Sequence, residues 1–89
     1  MKNEKIYNCP YKVGDTVIVR KDLTTKSYYD GIYFTQEMSR YMGRAYKIKS
    51  ILASKYSRKG YIIKLKYIES WSWDLSMLEI ESSDNYEIF

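Results

Sequence analysis

The sequence predicts a mostly-β domain, a small five-stranded antiparallel barrel with one short α-helix over about residues 36–42. Three observations carry that expectation. Short runs of β-branched and aromatic residues alternate with polar ones, most clearly in YIIKLKYI, 61–68. Turn signals punctuate the chain at Gly14–Asp15, Asp30–Gly31 and Gly60. Helical spacing is confined to one place, where Met38 and Met42 lie four apart.

Each element follows in order. Residues 1–11 read as a loose N-terminal arm, 12–80 as the barrel domain and 81–89 as an acidic C-terminal tail. Thr16 to Arg20, TVIVR, is the first strand, with Val17 and Val19 sharing one face. Residues 21–34 read as a long irregular loop, of the kind that often carries function. Its tyrosines, Tyr28, Tyr29 and Tyr33, are candidates for exposed contacts. Thr35 can cap the helix with its hydroxyl, Glu37 suits the first turn, and Gly43 suits the left-handed close.

A hairpin comes next. Tyr46 and Ile48 point inward while Lys47 and Lys49 point outward, and a bulge near Ser50 breaks the alternation. KYSRKG, 55–60, is the basic tip. Tyr61, Ile63, Leu65 and Tyr67 return along the inner face, with Ile62, Lys64, Lys66 and Ile68 opposite. A short strand around Trp71–Trp73, a single turn at Asp74–Ser76 and a last strand, MLEI, complete the domain. Tyr61, Ile63, Leu65 and Trp73 are expected in the core, with Trp71 half covered.

Composition bounds the function. The chain has 89 residues, with eleven tyrosines, two tryptophans and two phenylalanines. A domain this small buries only about 60–65% of its unfolded surface, so its core is thin. Fifteen aromatics exceed what such a core can hide, and exposed tyrosine and tryptophan favour interfaces. The single cysteine, Cys9, permits no intrachain disulfide. No apolar run approaches the roughly 20 residues of a membrane span, and the first residues lack the apolar middle of a signal peptide. A cytoplasmic protein is the expectation.

Catalysis is argued down by what is missing. With no histidine and one cysteine, a Ser–His or Cys–His pair and a His/Cys metal site are excluded. No phosphate-binding glycine loop occurs. The expectation is no enzyme, no catalytic residue, no metal and no cofactor.

Charge is segregated. From Met38 to Ile68 there is no acid, against nine bases: Arg40, Arg44, Lys47, Lys49, Lys55, Arg58, Lys59, Lys64 and Lys66. Glu69, Asp74, Glu79, Glu81, Asp84 and Glu87 follow, with no base among them. Such separation invites a charged partner, or self-neutralisation within the fold.

The motifs KVGDTVIVR, M..YMG...KI, GY.I.L and W.WDLSMLE together resemble small Src-homology-3-like (SH3-like) barrel modules. Some of these occur in phage and prophage proteins of Gram-positive bacteria. The resemblance spans roughly 12–80. It implies the barrel fold and a binding role, and carries no catalytic residue over. By analogy with phage proteins of this size, it implies a phage-encoded inhibitor or modulator of a host defence machine, acting in the host cytoplasm.

Two readings stay open. In the first, Tyr28, Tyr29, Tyr33 and Trp71 contact a host protein, such as a member of a nucleic-acid-handling complex. In the second, nucleic acid binds directly to the basic hairpin 44–66 through Arg44, Lys47, Lys49, Lys55, Tyr56, Arg58, Lys59, Lys64 and Lys66. No membrane is expected in either, and the oligomeric state is left open.

Overall fold

A computed structural model describes residues 9–80, and six strands lie within them. These are β1 (Thr16–Val19), β2 (Ser27–Tyr29), β3 (Ile32–Phe34), β4 (Ala45–Ala53), β5 (Tyr61–Leu65) and β6 (Leu78–Ile80). They form two antiparallel sheets, one of order β5-β4-β1-β6 and the other β2-β3.

β1 is the centre of the larger sheet because alternation gives it one dry face. Val17 and Val19 are fully buried, while Ile18 is only half covered. Thr16 pairs with Lys47 on one side and Val17 with Ile80 on the other. β4 bends where the sequence predicts. Ile48 pairs with Leu65 but Ser50 pairs with Lys64, so Lys49 is the extra residue of a bulge. β5 departs from prediction in one respect. Ile62, expected on the lysine face, is buried like Tyr61 and Ile63, so β5 starts with both faces covered.

Three predicted elements are corrected. The first is the irregular loop 21–34, which contains the β2–β3 hairpin and raises the strand count to six. Asp30 and Gly31 have φ of 49° and 92°, the pair of positive angles a two-residue type I′ turn requires. The turn signal was legible, but strands of three residues are too short for alternation to announce them.

The second is the helix, which is a 3-10 turn over Glu37–Tyr41. Among the described residues there is no α-helix. One turn cannot repay helix nucleation, so tertiary contacts set its geometry. The local signals still act. Thr35 Oγ1 accepts from the Met38 N–H at 3.1 Å, Met38 is buried, and Gly43 turns the chain at φ 82°. The third is the strand at Trp71–Trp73, which is a single bridge. Ile63 and Trp73 exchange two backbone hydrogen bonds of 2.9 and 3.0 Å, and the ladder goes no further.

Both sheets share one core. Ile32 and Phe34 on the inner face of β3 join Val17, Val19, Ile48, Ile63, Leu65, Trp73 and Met77. Trp73 is the largest of these buried side chains, and its ring lies 6.3 Å from those of Phe34 and Tyr41. Cys9 and Tyr11 pack against the same core. Of the predicted arm, residues 1–8 lie outside the described residues, as does the whole tail 81–89. Among the described residues, no helix is long and apolar enough to cross a membrane.

Candidate functional site

The β2–β3 hairpin separates its tyrosines by face. Tyr28 and Tyr33 are cross-strand partners, and each faces away from the core because its neighbours along the strand face inward. Their rings meet at 4.9 Å between centroids, tilted by 54°. Tyr28 is 71% exposed and Tyr33 40% exposed, so a stacked aromatic pair stands on the surface. Tyr29 turns the other way. Its ring meets Phe34 edge-on at 6.3 Å and its hydroxyl accepts from the Thr24 N–H at 2.8 Å. It braces the hairpin and presents little to a partner.

Trp71 is half-buried against the core. Among the described residues, no ring contact links it to Tyr28 or Tyr33. Of the four side chains predicted to contact a protein, two are together on one exposed face.

What holds that face is an ion network that the sequence did not suggest. The Lys59 ammonium donates to Asp30 at the hairpin turn and to both oxygens of Asp74, at 3.3 and 3.0 Å. Asp74 is fully buried, and its carboxylate also accepts from the Ser76 N–H at 2.8 Å and the Ser76 hydroxyl at 2.5 Å. Backbone contacts add to the clamp. Arg58 N–H donates to the Asp30 carbonyl at 2.8 Å, and a Cβ on Gly31 would collide with the Tyr56 carbonyl oxygen. The basic tip 55–60 therefore supports the hairpin turn from beneath.

Electrostatics follow. The hydrogen bond from Lys59, then its charge and that of Arg58, hold the Asp30 carboxyl below its ordinary 3.8. Partial burial opposes the charge on Lys59. Hydrogen bonds and charge from Asp74 and Asp30 outweigh it and lift the ammonium above its ordinary 10.5. Burial, then a hydrogen bond with Cys9, pushes the Tyr61 hydroxyl up.

The eight basic residues and one tyrosine predicted for nucleic acid are scattered over different surroundings. Lys59 is committed to the clamp. Lys49 pairs with Glu69 at 3.4 Å, and Lys64 donates to Ser72 at 3.2 Å. Lys55, Tyr56 and Arg58 are exposed beside the hairpin turn, with the Lys55 ammonium 5.7 Å from the Tyr56 ring centre. Lys47 is exposed on β4, and Arg44 and Lys66 are exposed just before β4 and just after β5.

Two surface grooves, each about 380 Å³, are also present. One is lined by Arg20, Lys21, Asp22, Leu78 and Glu79. The other is lined by Thr16, Ala45, Tyr46, Lys47, Lys66 and Tyr67. The first has mixed charge, with Arg20 paired to Asp22 at 2.7 Å. Among the described residues, no cluster of three or more His, Cys, Asp or Glu is placed to hold a metal ion.

No protein-family model matches the chain, and no curated protein or solved structure matches it either.

Proposed function

We propose that this chain is a non-enzymatic binding module that grips a protein partner with the outer face of the β2–β3 hairpin. The single observation behind this reading is the exposed Tyr28–Tyr33 pair, 4.9 Å apart between ring centres. Paired tyrosines offer large contact area with little rotamer freedom to lose, which suits a contact centre. The clamp beneath them means that little backbone ordering is required on binding. Lys55 and Arg58 flank the turn and favour an acidic rim on the partner.

We further propose that the two sheets over one core are parts of a small SH3-like barrel. The resemblance in sequence adds the expectation of a phage-encoded modulator whose partner is a host protein.

The test is affinity capture from a Gram-positive host lysate with the wild-type chain and with Tyr28→Ser/Tyr33→Ser. Both positions are solvent-facing, so the variant should stay folded, losing only the roughly 0.2–1 kcal/mol of a cross-strand pair. A partner retained by the wild type, lost by the variant, and retained again by Lys47→Ala/Lys66→Ala supports the reading. Equal capture by the tyrosine variant removes the hairpin face from consideration.

A further inference from the structure

We infer that the groove between β1, β4 and the end of β5 is a binding site for single-stranded nucleic acid, with Lys47 and Lys66 meeting phosphates and Tyr67 stacking on a base. This site is separate from the hairpin face and does not depend on it.

The argument begins with the backbone. Alternation predicts Tyr67 on the inner face with Leu65 and Ile63. Instead β5 ends at Leu65, and Tyr67 has φ 74°, in the left-handed region that bulky residues avoid. The residue is 87% exposed, the most exposed large hydrophobic residue among those described. Tyr67 is the third residue of the Leu65–Ile68 turn, where the Ile68 N–H donates to the Leu65 carbonyl at 3.4 Å and glycine or asparagine is the usual occupant of a positive φ. At Tyr67 a strained backbone presents an aromatic ring to solvent, which is a combination associated with binding sites.

The surroundings give that ring a purpose. Lys66 N–H donates to the Lys47 carbonyl at 2.9 Å, which fixes Lys66, the residue after β5, beside Lys47 of β4. Both line the groove, along with Tyr46 and Tyr67. No acid lines it, and among the described residues neither Lys47 nor Lys66 makes an ion pair. Lys49 and Lys59 nearby in sequence are both neutralised by carboxylates, whereas the two groove lysines keep their charge free for a ligand.

Two cations beside two rings match the alternation of phosphate and base along a single strand. A duplex would keep its base faces stacked inside, out of reach of Tyr67. An acidic peptide would satisfy the lysines but would leave the exposed ring unused.

The experiment is fluorescence anisotropy with a labelled oligothymidylate of about 12 nucleotides, titrated across salt concentrations. Tyr67→Gly is the decisive variant. Glycine accepts φ 74° without strain, so the fold should be as stable as the wild type or more so while the ring is gone. Its affinity should drop roughly 5- to 150-fold, the range that loss of one base–aromatic stack gives. Lys47→Ala/Lys66→Ala should lower the slope of log affinity against log salt by about 1.4, two phosphate contacts on a single strand. Lys55→Ala/Arg58→Ala should lose less than either. Absence of binding at about 50 mM salt would overturn the inference. So would undiminished binding by Tyr67→Gly, or polyglutamate competing as well as the oligonucleotide does.

Discussion

Lys59 and the fully buried Asp74 are joined by hydrogen bonds of 3.0 and 3.3 Å, and the same ammonium reaches Asp30 at the tip of the β2–β3 hairpin. One side chain from the β4–β5 loop thus ties the smaller sheet to the segment that follows Trp73. The hairpin's inner face is held by Ile32 and Phe34 in the core, and its tip by charge. Both attachments act on the strands that carry the exposed tyrosines of its outer face.

Lys59→Ala should destabilise the fold by about 2–3 kcal/mol, because it leaves a buried carboxylate with Ser76 as its only donor among the described residues. The figure is below that for a fully buried pair because the Lys59 side chain is a quarter exposed. Urea denaturation measures it. On an Asp74→Asn background the same substitution should cost much less, since the stranded charge is gone. Equal costs on both backgrounds would show that the pair is uncoupled.

The clamp should have a pH window. Asp30 is held below its ordinary 3.8 in the folded chain, so its contribution is present above about 3.8 and is lost as pH falls through the lower folded value. Lys59 lies above its ordinary 10.5, so its contribution is complete below that value and is lost as pH rises through the higher folded one. Melting temperature followed from pH 7 downward should fall in the acid range, below about 4. Asp30→Asn should flatten that part of the curve. A variant curve that runs parallel to the wild type's would assign the acid loss to other carboxylates.

Gly31→Ala should act at the same junction by a different route. The residue has φ 92°, where a Cβ costs roughly 1–2 kcal/mol, and that Cβ would also meet the Tyr56 carbonyl. Tip and loop must separate to admit it. A loss of about 2 kcal/mol or more is expected, against a few tenths for alanine at an exposed strand position. Hydrogen exchange should localise the opening. Faster exchange of the Arg58 amide, which donates to Asp30, is the expected sign.

How much of this was legible depends on the length of each signal. β1 and β5 carry enough alternation to be placed, and the break in alternation at Ile51–Leu52 points to a bulge near Ser50, where the register shifts between Ile48 and Ser50. Tyr61, Ile63, Leu65 and Trp73 are the expected core residues, and all are fully buried. The hairpin inside 21–34 was hidden because three-residue strands show no period. The Asp30–Gly31 turn was read correctly but without its flanking strands. Tyr67 was misplaced because a single left-handed residue ends the strand, and nothing in YIIKLKYI announces it. The clamp was invisible for a different reason. Asp30, Lys59 and Asp74 are far apart in sequence, and only the fold brings their charges together. Tyr28 and Tyr33 were named as contacts, yet their pairing follows from a register that sequence did not supply.

Trp73 offers the sharpest test of the core. Its indole Nε1 is buried with no hydrogen-bond partner among the described residues, which leaves the desolvation of that N–H uncompensated. Trp73→Phe removes the orphan donor and keeps a ring against Phe34 and Tyr41. The lost volume destabilises, while removal of an unsatisfied N–H, worth roughly 1–3 kcal/mol, offsets much of it. Trp73→Phe should therefore cost less than about 2 kcal/mol, and Trp73→Ala about 3–5 kcal/mol. Urea midpoints with unchanged m-values would measure both. If Trp73→Phe costs as much as Trp73→Ala, the indole nitrogen has a partner in solution and the orphan reading fails.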